Sequence, residues 1–286
     1  MYAVTAATGQ LGRIVVDCLL RRVAPDQIVA LARDPGKASD LRAKGVEVRE
    51  ADYDRPDTLH RALDGVQRVL LISSDAVGTR ARQHGAVIDA ALAAKIELLV
   101  YTSMLHADAT PATLAAEHKA TEDAIAASGL PAAILRNGWY TENHLMGLSQ
   151  ALEHGAMVGA AGEGRFSSAA RADYAEAAAV VLTSNGQAGH VYELAGDRSY
   201  TLAEFAAELS HQASRSISYH DLSQGDYKQV LLSAGLPEPL ADALSDEDEV
   251  SRGDTLRDEA GVLRGLLGRP TTPMPQTIAA ALRARS

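Results

Sequence analysis

The segment that most constrains this chain is its opening one. VTAATGQLGRIV, residues 4–15, reads as the end of an apolar strand, a turn of small residues and the start of a helix. The same alternation continues: QIVALAR (27–33), VEVREAD (46–52), RVLLISS (68–74), LLVYTS (98–103) and AAILRNG (132–138) are short strand candidates. Between them lie helix-length stretches at 10–22, 36–44, 56–63, 80–94 and 112–128. Most of the strands are continuous or branched apolar runs, as in a sheet covered on both faces. Strand and helix in strict alternation predict an α/β fold, a doubly wound parallel sheet with right-handed crossovers.

After residue 140 the rhythm breaks. A helix at 141–154 precedes the glycine-rich GAAGEGR (159–165), a helix at 173–184 and a strand near HVYEL (190–194). Thr201 and Glu204 then open a further helix as a capping-box pair. The spacing predicts a core over 1–140 and a segment, 141–286, that completes the core and builds a smaller C-terminal substrate lobe. Within that segment the acidic SDEDEV (245–250) reads as a solvated face and RPTTPMP (269–275) as a lobe edge.

Composition narrows the function classes. Hydrophobic residues make up 47% and charged residues 22%, enough apolar material for a large core. A net charge of −10 repels phosphate backbones and anionic lipid, so nucleic acid is not an expected partner, and no run approaches the roughly 18 apolar residues of a spanning helix, so membrane insertion is not expected. The single cysteine, Cys18, excludes an intrachain disulfide and suits a reducing, cytoplasmic location. Nine histidines are scattered without ligand spacing, so no metal is expected.

The opening turn carries the chemistry. Gly9 and Gly12 occupy the second and third positions of a G-x-x-G-x-x-G loop, and Ala6 fills the first. Glycines there let backbone N–H groups approach a pyrophosphate at a helix N-terminus, where free donors and the dipole favour negative charge. A methyl at the first position is tolerable on this reading, whereas one at Gly9 obstructs the phosphate. The second strand ends Leu31, Ala32, Arg33. No acid stands at its tip for a ribose 2′-hydroxyl, and Arg33 offers a planar fork for a 2′-phosphate unless it pairs with Asp34. Asp52 either meets the adenine edge or caps a turn.

TAATGQLG, VALARDPGKA, EADYDRPDTL, YTSMLHAD, EHKATEDAIAASGL, LRNGWYTEN, GAAGEGRFSSAARADYAEAA and VYELAGD together resemble the NmrA-like branch of the atypical short-chain dehydrogenases. Within that branch the resemblance is to the bacterial NADPH-dependent quinone oxidoreductases of type 2. It implies a Rossmann-type fold, NADPH as cofactor and a small-molecule quinone as acceptor. The loop residues Ala6, Thr8, Gly9, Gln10, Leu11 and Gly12 would bind the pyrophosphate, and Arg33 the 2′-phosphate. Ser73, Ser74 and Asp75 would line the adenosine side; Asn137, Gly138, Trp139 and Tyr140 would lie beside the nicotinamide. Arg171 either reaches the cofactor or pairs with Asp173, itself expected to cap the helix beginning there. Ala6 departs from the glycine usual in the family. A homodimer is the assembly to check for.

A typical short-chain dehydrogenase has a Ser at the end of the fifth strand and Tyr-x-x-x-Lys on the next helix. Here Thr102 and Ser103 end the strand, but the helix presents His118 and Glu122 one turn apart, expected to form a modest pair on a partly exposed face. Reducing a simple ketone leaves a basic alkoxide that needs a positioned acid; a quinone leaves a delocalised phenolate-like anion that does not. Tyr140, Asn143 and His144 are the substrate-side candidates, with Tyr140 or Trp139 placed to stack on such a ring. No catalytic proton donor is assigned. The competing function is a redox sensor of the same family that holds NADP(H) without turnover and signals to a protein partner.

Overall fold

A computed structural model describes residues 1–285. Among these residues the strands are β1 (Tyr2–Val4), β2 (Ile28–Ala32), β3 (Glu47–Glu50), β4 (Arg68–Leu71), β5 (Leu98–Met104), β6 (Ala132–Asn137), β7 (Ala156–Gly159), β8 (Arg165–Phe166), β9 (Val191–Leu194), β10 (Tyr200–Thr201) and β11 (Ser218–Asp221). The α-helices are α1 (Gln10–Leu19), α2 (Ser39–Ala43), α3 (Pro56–Ala62), α4 (Arg80–Ala94), α5 (Thr113–Ser128), α6 (Leu148–His154), α7 (Arg171–Thr183), α8 (Leu202–Ala213), α9 (Gln224–Ser233), α10 (Glu238–Ser251), α11 (Val262–Leu267) and α12 (Met274–Arg283).

The chain forms two compact units, each drawn from three stretches. The first comprises Met1–Met104, Glu117–Arg136 and Tyr174–Tyr192. It carries the seven-stranded sheet, in the order β3-β2-β1-β4-β5-β6-β9. Ala3 lies opposite Val29 on one side and Val69 on the other, both in parallel register. Strand β9 continues the parallel pattern, with Ile134 N–H donating to the His190 carbonyl at 2.9 Å. All five residues of IVALA in β2 are buried, as a sheet covered on both faces requires. Leu31, Val69, Leu71 and Leu99 form one core cluster with Leu59 of α3 and Val87 and Ile88 of α4.

Several strands stop short of their expected ends, and this shapes the site. Strand β4 ends at Leu71 rather than at residue 74, leaving Ser73 and Ser74 in a loop. Strand β2 ends at Ala32 and leaves Arg33 outside the ladder. The strand order reverses at β1, between β2 and β4, and a crevice opens at such a switch point outside the carboxyl ends of the strands.

The second unit comprises Leu105–Ala116, Asn137–Asp173 and the chain from Glu193 onward. It holds two small sheets, β7 parallel to β11 and β8 antiparallel to β10. The expected helix at 141–154 is two elements: a 3-10 turn at Thr141–Leu145, then α6 after Gly147. The Thr201–Glu204 capping box at the start of α8 is present in both directions.

Two expectations for this unit, the SDEDEV face and the Asp173 cap, are overturned. SDEDEV is not a solvated face, because Ser245, Glu247 and Asp248 of α10 are buried. The glycine-rich GAAGEGR offers no free donors from its first turns. Ala160 N–H donates to Asp248, Ala161 N–H to the Tyr219 hydroxyl and Gly162 N–H to Asp221, at 2.9, 3.1 and 2.9 Å. Asp173 is not a helix cap: fully buried, it accepts from Arg269 at 2.8 Å and from the Thr272 N–H at 2.6 Å, so it anchors the RPTTPMP segment.

Candidate functional site

In the first unit a cleft of about 550 Å³ opens at the carboxyl ends of β1, β2 and β4. Its lining includes Ala6, Thr8, Gly9, Gln10, Leu11 and Gly12 from the opening turn, Arg33 from the end of β2, and Ser73, Ser74 and Asp75 after β4. Residues expected to act together but far apart in sequence therefore meet in one place.

The opening turn is built by backbone constraint. Gly9 caps α1 without a side-chain hydrogen bond, and the first turn carries no acidic residue, so its amides remain for an anionic ligand. A Cβ at Gly12 would lie 2.3 Å from the Ala6 carbonyl oxygen and 2.8 Å from the Ala7 Cα, whereas one at Gly9 meets only the Ala6 oxygen at 3.2 Å. Gly12 is thus the position that forbids a side chain on packing grounds alone. Gly12→Ala is expected to cost roughly 1–3 kcal/mol in urea unfolding, and more than Gly9→Ala. Ala6 adopts φ +47, the left-handed region, which costs a non-glycine residue about 1–2 kcal/mol. The methyl at the first position is accommodated, but as strain.

Arg33 is exposed and makes no hydrogen bond or ion pair to any described residue. The pairing with Asp34 does not occur: the Asp34 carboxylate accepts from Gly36 N–H at 2.9 Å and caps a 3-10 turn. Asp52 takes the turn role, accepting from Asp54 N–H at 3.0 Å, although it also lines the cleft. Sequence reasoning missed Arg13, Lys37, Tyr53, Asp54 and Gln83, which also line the cleft. The spacing of Arg13 one turn into α1, and of Lys37 four residues after Arg33, was the available signal for the two cations. The Tyr53 hydroxyl donates to Thr5 Oγ1 at 2.6 Å, and burial raises its pKa.

Behind the cleft the positions of the usual dehydrogenase acid are filled by a buried polar layer. His118 and Glu122 do not pair with each other and are not partly exposed; they are 6% and 8% accessible. His118 Nδ1 bonds the Tyr101 hydroxyl at 2.8 Å, and burial holds its pKa well below the ordinary value. Glu122 accepts from Arg136 Nε at 2.9 Å and Nη2 at 2.7 Å, and from the Ser103 hydroxyl at 2.5 Å. The Thr102 hydroxyl oxygen accepts from Ser73 N–H at 2.9 Å. Ser74 N–H donates to His84 Nε2 at 2.9 Å, so the proton of this imidazole sits on Nδ1, facing Thr121. Burial pushes the His84 pKa down to about 3. Each of these groups is held in a neutral or paired state, and none is free to give up a proton.

The remaining predicted residues lie in the second unit. Asn137 and Gly138 are buried at the end of β6, and Asn137 Nδ2 donates to the Tyr140 hydroxyl at 3.4 Å while its Oδ1 has no partner. The Arg171 guanidinium lies 4.9 Å from the Tyr140 ring centroid and donates to Asn143 Oδ1 at 3.1 Å. Arg171 does not pair with Asp173, which is held by Arg269 and Thr272. Burial raises the Tyr140 pKa, offset in part by the bond from Asn137. His144 packs against Phe166 at 5.0 Å and Phe205 at 5.3 Å between ring centroids, and also meets Trp139 at 6.4 Å. Burial pushes its pKa down to about 3, so it is a neutral member of an aromatic cluster.

A parallel sheet with this strand order, a glycine turn at its first strand and an unpaired arginine at its second define a nucleotide-binding protein. The family model for NAD(P)H-binding proteins matches residues 6–185, and the chain belongs to that family. Quinone oxidoreductase 2 of Escherichia coli strain K12 is 49% identical over 278 residues, which are 97% of each chain. The crystal structure of the E. coli NADPH-dependent quinone oxidoreductase QOR2 complexed with NADPH superposes with a TM-score of 0.95 at 48% identity, covering 99% of this chain and 100% of that one. The Citrobacter triphenylmethane reductase complexed with NADP(H) gives a TM-score of 0.92 at 36% identity, over 98% and 100% of the chains. Among the described residues no helix is long and apolar enough to cross a membrane, and no group of three or more His, Cys, Asp or Glu is placed to hold a metal ion.

Proposed function

We infer that the chain is an NADPH-dependent oxidoreductase that transfers a hydride to a quinone. The observation that carries this reading is Arg33: a guanidinium with no partner among the described residues, at the rim of a cleft whose floor is a free helix N-terminus. Those residues fit NADPH: the amides of Gln10, Leu11 and Gly12 would hold the pyrophosphate and Arg33 the extra phosphate, with Ser73, Ser74 and Asp75 available to the adenosine side. The similarity to quinone oxidoreductase 2 over nearly the whole chain supports the acceptor class.

When bound, NADPH supplies the hydride. The chain contributes orientation and electrostatics rather than an acid, since His118 and Glu122 are consumed by Tyr101, Ser103 and Arg136. That suits an acceptor whose reduced form is a delocalised anion. Asn137, Gly138, Trp139 and Tyr140 are the residues for the nicotinamide side. The single buried cysteine supports the cytoplasm as the site of action.

Arg33→Ala is expected to weaken NADPH by about 1.5–3 kcal/mol, the scale of a hydrogen bond to a charged group, and to leave NADH nearly unchanged. Quenching of Trp139, the sole tryptophan, reads both affinities. Consumption of NADPH with a panel of quinones tests turnover, which a nucleotide sensor would lack. Equal affinity for the two nucleotides would remove the role given to Arg33.

A further inference from the structure

Arg80, Gln83 and His84 stand one turn apart on one face of α4, and all three are buried. Together they engage every polar group of Ser74, a residue of the cleft lining. Arg80 Nε donates to the Ser74 carbonyl at 2.8 Å, Ser74 N–H donates to His84 Nε2 at 2.9 Å, and the Ser74 hydroxyl donates to Gln83 Oε1 at 2.5 Å. The other end of the same amide, Gln83 Nε2, donates to Asp54 Oδ2 at 3.0 Å. A carboxylate only accepts, so this amide stands one way round, nitrogen toward Asp54 and oxygen toward Ser74. Asp54 follows β3 and Ser74 follows β4, strands that β2 and β1 keep apart in the sheet. No ladder hydrogen bond therefore sets the spacing of the two loops. The Tyr53 hydroxyl, 3.0 Å from the Ile72 carbonyl, is one tie between them, and Gln83, itself in the lining, is another.

We propose that Gln83 is a positioning residue for the nucleotide: by holding Asp54 and Ser74 at a fixed separation, it sets the width of the adenosine end of the cleft. The inference rests on the nucleotide half of the reading above. With both ends of its amide engaged, Gln83 acts through the loops it joins rather than as a ligand. It keeps Ser73, Ser74 and Asp75 in one arrangement before the nucleotide arrives, which lowers the ordering cost of binding. The adenosine moiety is common to NADP(H) and NAD(H), so Gln83 favours both alike, whereas Arg33 separates them.

The test is calorimetric titration of NADP+ and NAD+ into the unsubstituted protein, Gln83→Leu and Gln83→Glu, each variant being compared with the unsubstituted protein at the same pH. Gln83→Leu fills similar space without the bridge. It should weaken both nucleotides about tenfold, the scale of a hydrogen bond to a charged group, and leave their ratio unchanged. Gln83→Glu sets a second carboxyl against Asp54. At about pH 8 both are ionised and repel, so affinity should fall at least as far as in Gln83→Leu. At about pH 5 one shared proton rebuilds the bridge, the introduced O–H donating to Asp54 and its other oxygen accepting from Ser74, and affinity should return to within about threefold of the unsubstituted protein. The charged and titratable groups around the pair are Arg82, which donates to Asp54 Oδ1 at 2.5 Å, Arg33, Asp75, and Arg80 and His84 on α4. The bonds from Arg82 and Gln83 hold the Asp54 carboxyl below the usual range, so in Gln83→Glu the shared proton resides on the introduced group. Urea unfolding at both pH values checks that the variants are folded; should Gln83→Leu fail to fold, the two pH values of Gln83→Glu decide. Unchanged affinity in Gln83→Leu, a Gln83→Glu affinity that is the same at both pH values, or a loss confined to NADP+ would overturn the proposal. An unsubstituted protein that binds neither nucleotide would sink the nucleotide reading itself, and this inference with it.

Discussion

Glu122→Ala is expected to destabilise the protein by roughly 3–5 kcal/mol, because it takes from the buried Arg136 guanidinium the carboxylate that accepts two of its hydrogen bonds. Arg136 and Glu122 are 6% and 8% accessible and share two hydrogen bonds, at 2.9 and 2.7 Å, and Glu122 also accepts from the Ser103 hydroxyl. In water each group is solvated; in the fold that solvation is replaced by bonds such as these. Removing one therefore costs far more than the net worth of the pair, and replacing both by apolar residues of similar size, as in Glu122→Leu with Arg136→Met, should recover most of the loss. Urea unfolding of the two single variants and the double variant measures this. A loss below about 1 kcal/mol in Glu122→Ala would mean that the pair is hydrated in solution.

Glu247→Gln is expected to stabilise the protein by roughly 3–5 kcal/mol at pH 9 and to change little at pH 5. Glu247 is fully buried on α10, neither of its carboxylate oxygens has a hydrogen-bond partner among the described residues, and burial pushes its pKa up to about 8. The unfolded chain releases this proton near the ordinary carboxylate value of 4.5. Between the two values the folded state binds more protons, so stability falls as pH rises through the window and the full cost is present above about 8. Neighbouring Asp248, pushed up to about 6 by burial, adds a smaller loss in the same direction and keeps its bond from the Ala160 N–H. Gln keeps the shape and removes the charge, so the two urea curves should coincide at pH 5 and separate at pH 9. Coincidence at both would show that Glu247 is ionised without penalty.

What could be read from the residues was what local geometry dictates. The strand, turn and helix of 4–15 stand in order along the chain, and Arg33 stands at the end of its strand, so neither needed knowledge of the packing. The buried charges were illegible for the opposite reason. SDEDEV reads as solvated because nothing within it says that Asp248 will meet the Ala160 amide, from a loop nearly ninety residues earlier. His118 and Glu122 are one turn apart, and their spacing suggests a pair; their actual partners, Tyr101, Ser103 and Arg136, come from two strands. Asp173 has the position of a cap but is claimed by Arg269 and Thr272. At the site, the close approach of the Ala6 carbonyl to Gly12 was likewise illegible, because it depends on how the turn folds back on the first helix.

The first unit is finished by Tyr174–Tyr192, which supplies most of α7 and the start of the seventh strand of the sheet. A ribosome must therefore pass residue 192 before the nucleotide-binding half has all its parts, and a fragment cut at the end of β6 would present that strand as a bare edge open to unwanted pairing.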